Sequence, residues 1–258
     1  MSDVVDKPLV GADRVLAVLV ELGNHPSGVS LDELAHRLSS TKPTVHRALA
    51  ALRRAGLAAQ LSRGLYSLGD EFVRLALRYQ SGRPEGEMVE PALQRLVRRY
   101  NETAHFAVLE GPEVVYRAKV DPPEGGVRLT SVVGGRNPAH RTAVGKLLLS
   151  TKLDSESDLR ALLGDTPLEA RTPHSLVSID ELWAELLRTK DRGYAVDAEE
   201  NETGINCVAV PVRWSAGGRV IGAISVSALA FRTPLNRLTA DVETIQRIVD
   251  DVTMRADG

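Results

Sequence analysis

The sequence predicts a two-domain α+β protein, with a winged helix-turn-helix at the amino terminus and a larger α/β domain behind it. Three observations lead to this prediction. Near the amino terminus lies a basic window without acidic residues, two short amphipathic helices and a hairpin fall within or beside that window, and helical and strand periodicities alternate in the rest of the chain. We place the domains at residues 1–69 and 87–258, with a helical linker over residues 70–86.

The basic window runs from Leu34 to Gly69 and holds six Lys and Arg residues but no Asp or Glu. The whole chain has 32 basic and 34 acidic residues, so 26 basic residues face 34 acidic ones outside the window, a net charge of −8 there. Positive charge sorted into one segment is typical of a surface that binds a polyanion.

Two helices with a tight break between them are predicted over residues 30–54. Ser30 and Glu33 fit a capping box that opens the first helix, and apolar residues follow at helical spacing. Thr41 is the expected N-cap of the second helix, with Pro43 in the first turn, where a missing N–H costs little. Two helices joined by so short a break predict a helix-turn-helix.

The second helix has one apolar face, from Val45 to Leu52, and one polar face that is free to bind DNA. Behind it, residues 57–61 and 65–68 predict a hairpin with a basic tip, which is a wing. A recognition helix enters the major groove by its N-terminal end, and arginines further along contact phosphates. The residues predicted to contact DNA are Lys42, Thr44, His46, Arg47, Arg53, Arg54 and, at the wing tip, Arg63. The alternative, a solvated helical hairpin with surface arginines, does not account for the caps, the break and the wing together.

Composition argues against a membrane or secreted protein. The longest apolar run, Ile221–Phe231, contains two serines and falls short of the roughly 18 apolar residues that a membrane span needs. The amino terminus has acidic residues where a signal peptide has basic ones. We therefore expect a cytoplasmic protein without a membrane partner. Cys207 is the only cysteine, which excludes an internal disulfide.

The second domain is predicted from alternating periodicities behind a joint. Ser81–Gly86 is composed like a flexible joint between a helix over Glu71–Gln80 and another over Met88–Tyr100. Ser178 and Glu181 fit a second capping box. Strands are predicted near residues 103–109, 114–120, 194–197, 206–213 and 220–227, a loop over residues 121–126, and further helices over residues 178–192 and 238–254.

An anion site is predicted at Thr142, which can cap a helix that begins at Ala143. Free amides around Ala143 and Val144 would bind a small carboxylate through backbone geometry and the helix dipole. On a later strand Ser225 and Ser227 alternate across one residue, so their side chains point to the same face. Arg136 and His140 either screen the entrance of such a site or cap backbone carbonyls.

Several strings along the chain resemble the IclR family of bacterial transcriptional regulators. The amino-terminal matches are Lys42-Pro-Thr-Val-His-Arg47 and Leu65-Tyr-Ser-Leu-Gly69; where the family usually has Gly-Leu in the turn, this chain has Ser39-Ser40. The later matches are Gly134-Gly-Arg-Asn-Pro138, Ala143-Val-Gly-Lys146, Arg192-Gly-Tyr-Ala-Val-Asp197, Gly204-Ile-Asn-Cys207, Pro211-Val212 and Ser225-Val-Ser227. The resemblance covers nearly the full length.

The resemblance implies that the second domain is similar to the GAF fold and binds a small-molecule effector. It maps the effector pocket onto Asp197, Cys207, Ser225 and Ser227, with Leu129 and Val132 as an apolar wall. It also implies dimers through the amino-terminal domain and linker, and allows tetramers through the effector domains. No cofactor, metal or catalytic residue is implied.

The chain is accordingly interpreted as a ligand-responsive regulator, in preference a repressor, that binds a near-palindromic operator. Two other functions use the same residues. An enzyme would use Cys207 or Ser225 as nucleophile, His105 or His140 as base and Asp197 as orienter, but no nucleophile-elbow motif surrounds either candidate. A metal-responsive regulator would use His105, His140, Asp197 and Cys207 as ligands, which lack a local ligand spacing.

Overall fold

The structure is a computed structural model that describes residues 11–81, 85–123, 129–214 and 218–253. The chain forms two compact units that divide between Pro84 and Glu85. Most of the predicted joint, residues 82–84, and the second half of the predicted loop, residues 124–126, lie outside the described residues. Glu85 and Gly86 belong to the first turn of a helix.

The first unit is a helix-turn-helix with a wing. Its core is formed by buried apolar side chains from three helices and three strands, among them Val18, Leu34, Val45, Leu49 and Tyr66. The three strands form an antiparallel sheet in the order β1-β3-β2. The elements are α1 (Gly11–Gly23), β1 (Val29–Ser30), α2 (Leu31–Arg37), α3 (Lys42–Arg54), β2 (Ala58–Ser62), β3 (Leu65–Leu68) and α4 (Asp70–Ser81).

The starts of α2 and α3 differ from the predicted caps. The Ser30 hydroxyl accepts a hydrogen bond from the Glu33 amide at 3.1 Å, but the Glu33 carboxylate binds the Arg37 guanidinium, so half of the predicted capping box forms. Thr41 stands at the N-cap of α3, yet its hydroxyl donates to the Thr44 hydroxyl at 2.9 Å and caps no amide. A hydroxyl partner one turn ahead has replaced the backbone amide.

The second unit is an antiparallel sheet covered by helices on both faces. Its strands lie in the order β6-β5-β4-β9-β8-β7. The elements are α5 (Glu85–Tyr100), β4 (Thr103–Glu110), β5 (Glu113–Val120), β6 (Arg136–Pro138), a 3-10 turn (Ala139–Arg141), α6 (Ala143–Lys152), α7 (Glu156–Leu163), α8 (Ile179–Arg192), β7 (Ala195–Ala198), β8 (Ile205–Arg213), β9 (Val220–Leu229), α9 (Leu235–Ala240) and α10 (Val242–Thr253). The predicted capping box at Ser178 is complete, and α8 ends at the predicted residue.

Strand alternation decides what each face of this sheet carries. Phe106, Val208 and Val226 point to the face that packs on α5 and α10. Their neighbours Ala107 and Cys207 point to the opposite face, which packs on α6 and α8. Because side chains alternate along a strand, polar residues on the second face are gathered under α6.

The final helix was predicted as one element over Leu238–Met254, and this prediction is wrong. The chain forms α9 and α10 with a break at Asp241, whose backbone angles of φ −106° and ψ 12° leave the helical region. The Asp241 carboxylate accepts hydrogen bonds from the Tyr100 hydroxyl at 2.6 Å and the Arg99 guanidinium at 3.1 Å. Anchorage to α5 therefore interrupts a sequence with continuous helical periodicity.

Gly145, in the first turn of α6, has no room for a side chain. A Cβ there would lie 2.6 Å from the Thr142 hydroxyl and would collide with the Ala139 backbone. We expect Gly145→Ala to destabilise the second unit by about 1–3 kcal/mol through overpacking. Both tryptophans, Trp183 and Trp214, belong to this unit, so fluorescence-detected urea unfolding reports on it.

The matched control is Gly86→Ala in α5, where the nearest atom to an added Cβ is 4.0 Å away. Alanine has the higher helix propensity, so this variant should be neutral or more stable by about 0.5–1 kcal/mol. Equal unfolding midpoints for the two variants would contradict the crowding at Gly145.

Candidate functional sites

A cavity of about 210 Å³ lies between the sheet of the second unit and the start of α6. All nine residues predicted to bind an effector line it, although they come from five separate segments of the chain. The lining residues are His105, Tyr116, Leu129, Thr130, Ser131, Val132, Gly135, Arg136, Asn137, Thr142, Ala143, Val144, Arg171, Asp197, Asn201, Glu202, Ile205, Cys207, Ser225 and Ser227.

The N-terminus of α6 forms one wall of the cavity. Thr142 is its N-cap, and the Thr142 hydroxyl accepts a hydrogen bond from the Gly145 amide at 3.0 Å. The amides of Ala143 and Val144 have no acceptor among the described residues. Free first-turn amides at the positive end of a helix dipole form an anion site, so this wall can bind a carboxylate.

The sheet supplies a polar floor. Strand register places Ser225 opposite His105 and Ser227 opposite Cys207, and all four side chains are buried. The Cys207 thiol donates to the Ser227 hydroxyl at 3.1 Å, and the His105 ring lies 3.4 Å from that hydroxyl and 2.7 Å from the Ser131 hydroxyl. The floor is therefore a chain of short polar contacts across three strands.

The groups on this floor are neutral near pH 7. Burial lowers the pKa of His105 to about 3, and the nearby Lys119 ammonium lowers it further. Burial raises the pKa of the Cys207 thiol well above its usual value, with the Asp197 carboxyl adding to the effect. A nucleophilic cysteine needs a depressed thiol pKa and an adjacent base, so these shifts oppose the enzyme alternative.

Asp197 is the buried acid of the site. It pairs with Cys207 across β7 and β8, is 2% exposed, and accepts hydrogen bonds from the amides of Glu200 at 2.7 Å and Asn201 at 3.3 Å. Burial raises the pKa of Asp197 to about 7; the Glu200 carboxylate adds to this shift and the Lys146 ammonium opposes it. The carboxyl is thus poised between its two protonation states.

Lys146 and Glu200 form a buried ion pair beside the cavity. The Lys146 amine donates to both carboxylate oxygens, at 2.7 Å for Oε2, and the two residues are 1% and 6% exposed. The pair connects α6 to the turn that carries Asn201 and Glu202 into the cavity wall. Removing one partner would leave an uncompensated buried charge.

The segment from Leu129 to Gly135 forms the outer wall. The Lys119 amine donates to the carbonyls of Leu129 at 2.8 Å and Ser131 at 2.7 Å, which fixes this segment against β5. Val132 is 62% exposed at the mouth of the cavity. The apolar wall predicted at Leu129 and Val132 is thus present, but it is open to solvent at one end.

Arg136 and His140, for which the sequence leaves two roles open, lie in different places. Arg136 lines the cavity and pairs with the carboxylates of Glu110 and Glu113. His140 is buried away from the cavity lining, and its ring bonds the Glu169 carbonyl at 3.1 Å. His140 therefore caps a backbone carbonyl. Within the described ranges, no three His, Cys, Asp or Glu side chains are arranged to hold a metal ion.

Several lining residues were not predicted as part of the site. Ser131, Arg171 and Asn201 come from loops whose sequences have no periodicity. Tyr116 lines the cavity beside His105, with the two ring centroids 4.9 Å apart and the rings tilted by 42°. From the sequence, His105 is a candidate only for the base of an enzyme or for a metal ligand. Its position opposite Ser225 follows from strand register, which the sequence pattern does not fix.

In the first unit, the exposed face of α3 is basic. Lys42, His46, Arg47, Arg53 and Arg54 are exposed, Thr44 is half-buried, and Arg63 is exposed at the turn between β2 and β3. The opposite face buries Val45, Ala48, Leu49 and Leu52, as predicted. The side chains predicted to contact DNA thus share the solvent side of the unit.

The cations of the basic window fall into two groups. Arg37 pairs with Glu21 and Glu33, and Lys42 pairs with Asp32 at 2.9 Å, so acidic residues just outside the window partly neutralise its start. Arg47, Arg53, Arg54 and Arg63 form no ion pair with any residue that the structure describes. These four arginines remain available for phosphates or base edges.

Comparison with known proteins decides the family. A family model described as bacterial transcriptional regulator IclR C-terminal matches residues 86–254, and one for the IclR helix-turn-helix domain matches residues 11–62. This chain belongs to the IclR family. The recognised resemblance and the predicted fold are confirmed, and the chain is a DNA-binding, ligand-responsive transcriptional regulator. Proteins of this family are regulators and, as a class, not enzymes.

Individual relatives agree with this assignment over nearly the whole chain. The HTH-type transcriptional regulator XynR of Escherichia coli K12 is 32% identical over 91% of this chain and 92% of its own length. A transcriptional regulator of Rhodococcus sp. RHA1 has a TM-score of 0.76 and 26% identity, covering 93% of this chain and 95% of that one. The inducer-binding domain of PobR from Acinetobacter, a double mutant in complex with 3-hydroxybenzoic acid, has a TM-score of 0.59 and 26% identity, covering 65% of this chain and 97% of that domain.

In the described part of this chain no helix is long and apolar enough to cross a membrane.

The state of Asp197 makes the stability of the second unit depend on pH. An unfolded aspartate loses its proton near pH 4, whereas Asp197 in the folded chain holds it up to about pH 7. Folding is therefore favoured by this group at low pH, and its contribution is lost as the pH rises towards 7. We expect the stability of Asp197→Asn relative to the natural protein to rise by about 2–3 kcal/mol between pH 5 and pH 8.

Fluorescence-detected urea unfolding at a series of pH values measures this difference. The exposed Asp154→Asn serves as control, because its side chain is 97% exposed and should show no comparable trend. A constant difference between Asp197→Asn and the natural protein over this range would mean that Asp197 is ionised throughout.

Proposed function

We propose that this protein is a repressor that binds a near-palindromic operator as a homodimer and responds to a small carboxylate bound beside α6. The unpaired arginines of α3, Arg47, Arg53 and Arg54, carry the DNA half of the proposal. The free amides of Ala143 and Val144 carry the effector half. Residues 1–69 act as the DNA-binding domain, residues 70–86 as the linker and residues 87–258 as the effector domain.

The arginines of the DNA face have two roles, base contact and phosphate contact. Arg47 lies near the N-terminal end of α3, the end that a recognition helix inserts into the major groove, so we assign it a base contact. Arg53 and Arg54 lie one to two turns later and contact phosphates, as does Arg63 at the wing tip. Lys42, Thr44 and His46 complete the surface at the start of the helix. The pairing of Lys42 with Asp32 makes its contribution to DNA binding smaller than that of the unpaired arginines.

A carboxylate is the effector class that fits the cavity. First-turn amides prefer an anion, and the neutral floor of His105, Ser225 and Ser227 offers hydrogen-bonding groups to the rest of the ligand. The PobR domain was solved with 3-hydroxybenzoic acid, which has a carboxylate and a second polar group. Leu129 and Val132 cover the apolar part of such a molecule.

Exposed apolar side chains in the first unit support a dimer. On α4 they are Phe72, Val73, Leu75, Leu77 and Tyr79, which are 39% to 60% exposed, and on α1 Leu16 and Val20 are 58% and 70% exposed. Large exposed apolar patches mark interaction surfaces. A two-fold operator requires two recognition helices about 34 Å apart, which a second copy of this chain supplies.

Arg47→Ala should weaken binding to a specific operator by about 1–3 kcal/mol, because a base contact is lost. The operator is obtained by selecting random DNA fragments with the natural protein, and affinity is measured by gel-shift titration at fixed salt. Arg98→Ala is the matched control, since Arg98 is exposed on α5 and forms no ion pair among the described residues. An Arg47→Ala affinity equal to that of the control would rule out the base contact.

Ser225→Ala should weaken the carboxylate's effect on operator release while leaving effector-free operator binding intact, because the hydroxyl lies on the cavity floor and not in the DNA-binding domain. We expect a several-fold higher concentration of 3-hydroxybenzoate or another active carboxylate for half-maximal release, as loss of one hydrogen bond predicts. The measurement is gel shift against effector concentration. Equal losses of operator binding and of effector response would indicate misfolding instead.

Leu77→Glu should shift the dimer towards monomer and lower operator affinity, since a charge is buried against the partner copy. Leu187→Glu, at a residue 50% exposed on α8, is the control and should leave the dimer intact. Sedimentation velocity measures both, and it also shows whether dimers assemble further. An unchanged dimer in Leu77→Glu would place the interface elsewhere.

A further inference from the structure

We infer that the cavity takes its carboxylate together with one proton, carried by Asp197, so that the effector is bound less tightly as the medium becomes alkaline. The inference rests on the proposed carboxylate effector and specifies how its site is regulated. It makes the proton a second ligand of the regulator.

A bound carboxylate would share one cavity with the carboxyl of Asp197. Asp197 and the free amides of Ala143 and Val144 line the same cavity of about 210 Å³. Asp197 is 2% exposed, so solvent does not screen it. A carboxylate seated on the amides would therefore lie in the same small cavity as a second carboxylate that is shielded from solvent. Like charges in one site raise the cost of ionising both.

The cations around this space are already engaged. Lys146, the cation that acts on Asp197 from α6, is bound by both oxygens of Glu200. Lys119 on β5 pairs with Asp121 and donates to two carbonyls. Two further basic residues near the cavity also have carboxylate partners: Arg136 pairs with Glu110 and Glu113, and Arg141 with Glu169.

Arg171 is the remaining basic residue of the cavity lining, and Glu202 is its second acidic residue. Arg171 lies exposed on the cavity rim and forms no ion pair with a residue of the described ranges, while Glu202 lines the same rim. The other groups that face Asp197 are the Cys207 thiol on β8, the Tyr116 phenol on β5 and the His105 imidazole on β4. All three are neutral near pH 7. Among the described lining residues, Arg171 is therefore the one cation without a carboxylate partner, and its charge is exposed to screening by solvent.

Protonation of Asp197 removes the conflict and creates a hydrogen-bond donor. A protonated carboxyl donates one O–H, which a ligand oxygen can accept, whereas an ionised one only accepts. Burial raises the pKa of Asp197 to about 7, so the free protein holds this proton in roughly half of its molecules at neutral pH. An anion in the cavity raises that pKa further, and binding then takes up a proton.

The expected pH dependence follows from linkage. If the ligand binds only the protonated form, affinity is constant below pH 7 and falls tenfold per pH unit well above it. Between pH 6.0 and pH 8.5 the apparent Kd should rise about thirtyfold. A carboxylate ligand is itself ionised throughout this range and contributes no dependence of its own.

Sodium acetate is a suitable probe, with sodium chloride added to keep ionic strength constant. Its Kd is obtained from the shift of the unfolding midpoint, read by tryptophan fluorescence, at pH 6.0 and pH 8.5. The full-length natural protein should show the thirtyfold change, and Asp197→Asn less than threefold. Asparagine keeps an oxygen that accepts the Glu200 and Asn201 amides. Asp154→Asn, at an acidic residue that is 97% exposed and does not line the cavity, is the control and should keep the natural pH dependence.

A second measurement needs no variant. Acetate titrations by calorimetry at pH 7.5, in buffers of different ionisation enthalpy, give the protons taken up per ligand, with about 0.8 expected in the natural protein.

The outcomes separate this inference from the proposed function. Acetate binding with the same pH dependence in the natural protein and Asp197→Asn, or with no proton uptake, would overturn the inference and leave the carboxylate site standing. No acetate binding by any of the proteins at either pH would overturn both. If Asp197→Asn does not fold, the proton count in the natural protein decides.

Discussion

The hydrogen bond from the Gly145 amide to the Thr142 hydroxyl fixes the start of α6, and the candidate site depends on that start. With one first-turn amide capped by Thr142, those of Ala143 and Val144 remain for the cavity. The close approach of Gly145 to Ala139 sets where the helix begins, because any side chain there would push the two segments apart. Local contacts at one helix terminus thus place the proposed anion site above a neutral, polar sheet.

The two units differ in how their charges are paired, and the difference suits the ligands proposed for them. In the first unit the later cations of the basic window are left without acidic partners, which suits a polyanion. In the second unit nearly every cation close to the cavity has a carboxylate partner, and the proposed anion site consists of backbone amides instead of arginines or lysines. An amide site of this kind binds a single small anion, and its affinity is sensitive to any other charge in the cavity, above all that of Asp197.

The sequence predicted most of the features whose signals are local, although the cap at Ser30 formed only in part and Thr41 caps no amide. The capping box at Ser178, the apolar face of α3 and the alternation of Ser225 with Ser227 are each set by residues a few positions apart, and each was found in the structure. The break at Asp241 was missed because it depends on contacts with α5, which lies about 140 residues earlier in the chain. Arg171 and Asn201 were missed because loops bring them to the cavity.

The pocket residues carried over from the family resemblance lie around one cavity, but only contact with a ligand tests their role. Helix-end chemistry and strand alternation in the sequence predict the anion site at α6 and the shared face of the two serines. They could not predict that Asp197 is deeply buried, since burial arises from the turn that carries Glu200 and Asn201 over it. Protonation state is therefore a property of the folded site and not of the motif.

The most direct test is a crystal structure of the full chain with 3-hydroxybenzoate or another carboxylate that releases the operator. The account predicts carboxylate oxygens about 2.7–3.1 Å from the backbone nitrogens of Ala143 and Val144, with the remainder of the ligand over Ser225 and Ser227. A carboxylate held instead by Arg171 at the rim, with the α6 amides bound only to water, would contradict it.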